Sequence, residues 1–85
     1  MDEIEAQILS VIESSQDGLE VAHVVKEIES RYNKSYNPKR IRHKMDSLCN
    51  FKYLDKETYR IQGMRGPDRY RYSIHREECR WKAER

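Results

Sequence analysis

The dipeptide Asn37-Pro38 constrains this chain more than any other feature. An asparagine side chain accepts from the unpaired N–H groups at a helix start, and a proline at the first helical position gives up no hydrogen bond. Together they place a helix start near the middle of the chain. Behind it, Ile41, Met45 and Leu48 recur at i, i+4 and i+7. This spacing predicts an amphipathic helix from Pro38 to about Phe51. At about 100° per residue its far side holds Lys39, His43, Asp46 and Asn50. Arg40 and Ser47 flank that side on one edge and Arg42 on the other. Lys44 lies nearer the apolar stripe and is expected to point sideways to solvent. Asp46 is expected to pair with Arg42 one turn away.

The flanking segments arrange themselves around this helix. Residues 3–14 read as a first helix, with Ile4, Ile8, Val11 and Ile12 on one stripe and Glu3 and Glu5 in the first turn, where the helix dipole favours acids. Ser14 to Gly18 ends it, and Gly18 suits a left-handed stop. Leu19-Glu20-Val21 is short and extended. A second helix runs from about Val21 to Arg31, with Val21, Val24, Val25, Ile28 and Tyr32 on one face. A polar connection, Asn33 to Tyr36, leads to Asn37.

After the third helix, Phe51 and Leu54 read as core plugs, and Asp55-Lys56-Glu57 as a turn. Tyr59 and Ile61 then alternate with Thr58 and Arg60, a strand pattern. Gln62 to Asp68 contains Gly63, Gly66 and Pro67, a loop by composition. Arg69 to Ile74 alternates strictly, with Tyr70, Tyr72 and Ile74 facing one way and Arg69, Arg71 and Ser73 the other. Two strands and a glycine-bearing loop make a hairpin. The expected class is α+β and mostly α, with three helices and a C-terminal two-stranded hairpin. Residues 1–75 form one domain, and 76–85 a charged tail or short helix in which Trp81 is the large apolar group.

Eighty-five residues suffice for a single domain with a thin core. No apolar run approaches the ~20 residues of a membrane span. No apolar signal core follows the acidic Met1-Asp2-Glu3, so the expected location is cytoplasmic or nucleoid-associated (nuclear in a eukaryote), not secreted. Cys49 and Cys79 form no CxxC pair and are expected to be reduced thiols. His75 and Cys79 lie four apart, but His43 and Cys49 fall on different faces of the third helix and do not complete a ligand set. No metal or other cofactor is expected.

The net charge of +2 conceals a segregation. Residues 1–30 carry eight acids against the single base Lys26, a net −7; residues 31–85 carry sixteen bases against seven acids, a net +9. Between Lys34 and Lys52 the bases Lys34, Lys39, Arg40, Arg42, Lys44 and Lys52 face one acid, Asp46. Charge divided in this way points to a polyanionic partner, nucleic acid first. A membrane surface would call for a basic amphipathic helix, and the leading helix is acidic.

The order helix, short extended piece, helix, helix and hairpin resembles the winged helix-turn-helix family over roughly residues 3–75. The resemblance rests on Gly18-Leu19-Glu20-Val21 before the second helix, Asn37-Pro38 at the third, the exit Phe51-Lys52-Tyr53-Leu54 and the return strand Arg69-Tyr70-Arg71-Tyr72-Ser73-Ile74. It implies that the third helix enters the major groove of duplex DNA and that the hairpin, or wing, meets the flanking backbone or minor groove. Lys39, Arg40, Arg42, His43 and Ser47 then become contact candidates on the helix, and Arg65 and Arg69 on the wing. Lys34 and Arg71 join them by charge and position. The six residues between Arg31 and Pro38 exceed the tight helix-turn-helix connection of about three to four.

The expected function is that of a sequence-specific double-stranded DNA-binding protein, a small transcriptional regulator acting as a homodimer through the first helix and the tail around Trp81. The alternatives are a protein-interaction module on the same fold and an RNA or single-strand binder using Tyr59, Tyr70 and Tyr72. No nucleophile with a base, no carboxylate pair in a cleft and no phosphate-cradling glycine loop appears, so neither an enzyme nor a small-molecule substrate is expected.

Overall fold

The computed structural model describes residues 2–15, 18–59 and 69–75. Its elements are α1 (Glu3–Glu13), α2 (Val21–Tyr32), α3 (Pro38–Asn50), β1 (Leu54–Tyr59) and β2 (Arg69–Ile74). The strands pair antiparallel, from Leu54 opposite Ile74 to Tyr59 opposite Arg69. Three helices and a hairpin give a mostly helical α+β fold with a winged-helix-like topology.

Each helix start has a local cause. The Asp2 carboxylate accepts from the Glu5 N–H at 2.8 Å, and the Glu5 carboxylate accepts from the Asp2 N–H at 3.3 Å, a reciprocal cap on α1. Asn37 Oδ1 accepts from the Lys39 N–H at 2.8 Å, with Pro38 opening α3 as its sequence requires. α2 stops at Asn33, which takes the left-handed conformation (φ 54) that asparagine tolerates better than most residues.

α1 lies at the centre and packs against α2, α3 and β2. Its apolar side chains therefore spread beyond one stripe: Ile4, Ile8, Leu9, Val11 and Ile12 are all buried. Val24 and Ile28 come from α2, Ile41, Met45 and Leu48 from α3, and Tyr53, Leu54 and Tyr72 from the hairpin region. Gln7 is buried among them with its polar atoms satisfied. It donates to Glu3 at 3.3 Å and accepts from the Tyr36 hydroxyl at 3.1 Å, which ties the α2–α3 connection to α1.

A short link joins the front of the chain to the hairpin. Leu19 and Tyr72 exchange two backbone hydrogen bonds, each 2.8 Å. Gly18 precedes this bridge at φ +82 and packs against β2.

Several local expectations are corrected. Phe51 is not a core plug; it caps α3 and is 57% exposed. The chain reverses at Lys52 (φ 64), and the next two residues, Tyr53 and Leu54, take the inward positions instead. Asp55-Lys56-Glu57 is not a turn but the body of β1, because pairing begins at Leu54. Tyr32 belongs to the last turn of α2 and is 36% exposed, so five residues, not six, connect α2 to α3. Lys44 does lean sideways from the apolar stripe toward solvent, where its ammonium pairs with Asp2 at 2.5 Å. The expected strand residues Arg60 and Ile61, the loop 62–68 and the tail 76–85 with Cys79 and Trp81 lie outside the described residues.

Candidate nucleic-acid interface

Burying Ile41, Met45 and Leu48 turns the opposite side of α3 to solvent. Lys39, Arg40, Arg42 and His43 are exposed there, and Ser47 is half-buried. Lys34 is exposed in the connection before α3.

The sequence-predicted set divides between two flanks of α3. On the hairpin flank, Pro38, Lys39 and Arg42 line a cleft of about 390 Å³ with Glu20, Val21 and Ala22 at the start of α2 and Arg69, Tyr70 and Tyr72 of β2. The lining combines apolar side chains with three cations. Glu20 does not cap its own helix. Its carboxylate lies 4.0 Å from Arg69 Nε, so the first-turn N–H groups of α2 have no side-chain acceptor from the cap residue.

Arg40 lies on the other flank with Lys44, whose ammonium feels its charge. The hydrogen bond from Lys44 to Asp2 outweighs both that repulsion and burial, and holds the Lys44 pKa above its ordinary value. The same hydrogen bond, with that from the Glu5 N–H, holds the Asp2 carboxyl below its usual range. His43 stands between the flanks.

On the hairpin, Arg71 is exposed and sits across the ladder from Glu57, while Arg69 faces the cleft. Arg65 lies outside the described residues, as does Arg60. Tyr70 and Tyr72 make poor stacking platforms. Tyr72 is fully buried, and the Lys56 ammonium already covers the Tyr70 ring at 4.2 Å from its centroid.

Asp46 does not pair with Arg42 by direct contact. One of its oxygens accepts from the Tyr72 hydroxyl at 2.7 Å and from Lys56 Nζ at 3.1 Å. Burial opposes the Asp46 charge, but these two hydrogen bonds and the charges of Lys56 and Arg42 prevail, and the pKa is lowered. Burial, then the bond to this carboxylate, pushes the Tyr72 phenol far above its ordinary range. Lys56 and Glu20 escaped the sequence reading. The signal for Lys56 was present: it is in phase with Leu54 and Thr58 on one face of β1, which places it on the same face as Tyr70 and Tyr72 once the register is known.

Burial and the nearby Asp46 charge raise the half-buried Cys49 thiol to about 11, which leaves it protonated at neutral pH. Among the described residues no three His, Cys, Asp or Glu side chains cluster to hold a metal, and no helix is long and apolar enough to cross a membrane. α1 buries Ile4, Ile8, Leu9, Val11 and Ile12 in the chain's own core. The chain matches no protein-family model and no curated protein.

Proposed function

We propose that this chain binds double-stranded DNA, with α3 in the major groove and the hairpin on the adjacent backbone or minor groove. One observation carries the reading: the fold gathers Lys39 and Arg42 of α3, Arg69 of the hairpin and the amide-bearing start of α2 around one cleft. Cations on a groove-sized helix, a second basic element beside it and a helix start without a side-chain cap are the parts a phosphate backbone needs. Arg42 and Lys39 serve phosphates near the wing. Arg40, His43 and Ser47, set toward the other flank of α3, are the groups available to base edges. Two copies on symmetric half-sites would double the few bases a domain of this size can read, and the protein would serve as a small transcriptional regulator.

Fluorescence anisotropy against random duplex DNA over a salt series tests this. The expected result is micromolar or tighter binding at about 50 mM salt, weakening steeply as salt rises. Arg42→Ala and Arg69→Ala should each weaken binding to all sequences and flatten the log–log slope by about 0.9, one phosphate contact. Glu13→Ala, at the C-terminal end of α1, should leave it unchanged. Absence of binding at low salt, or equal effects from all three variants, overturns the reading. Sedimentation with and without a selected site tests the two-copy arrangement.

A further inference from the structure

We infer that Asp46 is a positioning residue: it holds the hairpin at a fixed angle to α3 by gripping Tyr72 and Lys56 together, and so sets where the wing meets DNA. The inference rests on the duplex-binding reading only for its functional consequence. The mechanical part stands on contacts alone.

An acid on the groove side of a basic helix needs a reason, since it repels phosphate. Here the reason is mechanical. The Asp46 oxygen takes hydrogen bonds from both strands at once, from Tyr72 of β2 at 2.7 Å and Lys56 of β1 at 3.1 Å. Lys56 and Tyr72 are direct partners across the ladder. The Lys56 ammonium also lies 4.2 Å from the Tyr70 ring centroid and 5.7 Å from that of Tyr72, so cation–π attraction holds it where the carboxylate needs it. Tyr72 is fully buried and its phenol stays protonated as a donor. The joint lies two residues farther toward the hairpin tip than Leu54, the apolar anchor at the hairpin base. Leu54 and the Leu19–Tyr72 backbone bridge already fasten the hairpin base and β2 to the core; Asp46 adds the attachment from α3 that reaches β1 as well, through Lys56. The same contact occupies Lys56, which would otherwise be an unspecific phosphate ligand.

These roles give opposite signs on removal. Deleting the acid frees a cation and should tighten binding to random duplex, while the loosened wing should lose discrimination. The test uses the full chain and a duplex selected from a random pool. Asp46→Ala should steepen the salt slope on random DNA by about 0.9, one added phosphate contact. Asp46→Ala/Lys56→Gln should lose that increment. In both Asp46→Ala and Tyr72→Phe, the ratio of selected to random affinity should fall about tenfold, the scale of one charged hydrogen bond. Asp46→Asn, which still accepts from Tyr72, should fall between these and the parent.

Residual dipolar couplings of the β1 and β2 amides relative to those of α1–α3, measured without DNA, read the hairpin angle directly. They should shift in Asp46→Ala and Tyr72→Phe, with circular dichroism unchanged. Couplings superimposable on the parent's overturn the joint, whether or not the chain binds DNA. Shifted couplings with an unchanged affinity ratio leave the joint but overturn its role in recognition. A parent chain that binds no duplex overturns the functional reading and leaves the couplings to judge the joint.

Discussion

Replacing Gly18 by alanine should be among the most damaging single-methyl changes this chain can suffer. Gly18 sits at φ +82, where an L side chain costs roughly 1–2 kcal/mol. The added Cβ would also lie 2.8 Å from the Tyr72 carbonyl oxygen and 2.9 Å from Arg71 Cγ. The arginine can swing aside; the carbonyl cannot move freely, because it accepts the Leu19 N–H at 2.8 Å. Relieving the clash lengthens one or both hydrogen bonds between Leu19 and Tyr72, each worth about 1 kcal/mol net. The sum is roughly 2–4 kcal/mol, a large share of the ~5–15 kcal/mol that holds a domain folded. For a domain of this size that corresponds to a fall of roughly 10–25 °C in Tm, read by thermal circular dichroism. A Tm within about 4 °C of the parent would refute the reasoning, since it would mean that the backbone relaxes around the methyl at almost no cost.

Asn37→Ala removes the acceptor of the Lys39 N–H and should cost about 1 kcal/mol, seen as a lower urea midpoint with unchanged slope. Lys52→Gly should stabilise by roughly 0.5–1 kcal/mol, because Lys52 holds a left-handed conformation (φ 64) just past α3; an unchanged or lower Tm would count against that account. Asp2 and Asp46 both have folded pKa values below the ordinary 3.8, so the folded state binds fewer protons than the unfolded state. Their contribution is complete above about pH 4 and is lost as pH falls through the folded values. Melting scans from neutral pH downward should show that loss, and Asp46→Asn should flatten part of it.

The parts of the fold that were legible in the sequence depend on neighbours in the chain. Asn37-Pro38 starts α3 through bonds spanning two residues, and β2 is a strand where consecutive side chains predict one, although its burial does not alternate strictly: Tyr72 is buried, Tyr70 is exposed, and Ser73 is as half-buried as Ile74. What was missed depends on register and on how the chain leaves a helix. Phe51 and Tyr53 are equally plausible inward residues until the left-handed Lys52 decides which one turns in. The partnership of Asp46 with Lys56 and Tyr72 requires knowing that Lys56 pairs with Tyr72, and the intervening segment gives no count from which to derive that register. The basic face was visible as composition. Its division into a cleft flank with Lys39 and Arg42 and a far flank with Arg40 required the orientation of α3 against the hairpin.

The bridge between Leu19 and Tyr72 also bears on how the protein avoids itself. A two-stranded hairpin offers two open edges to any passing extended chain, and such edges invite strand addition and aggregation. On the β2 side the backbone groups of Tyr72 are already taken by Leu19. Among the described residues that leaves β1 as the unpaired edge, and its body is Asp55, Lys56 and Glu57, three charges in a row of alternating sign. Another strand settling there would have to match that pattern or bury unpaired charge, so the residues that look least suited to a strand are the ones that keep this edge solitary.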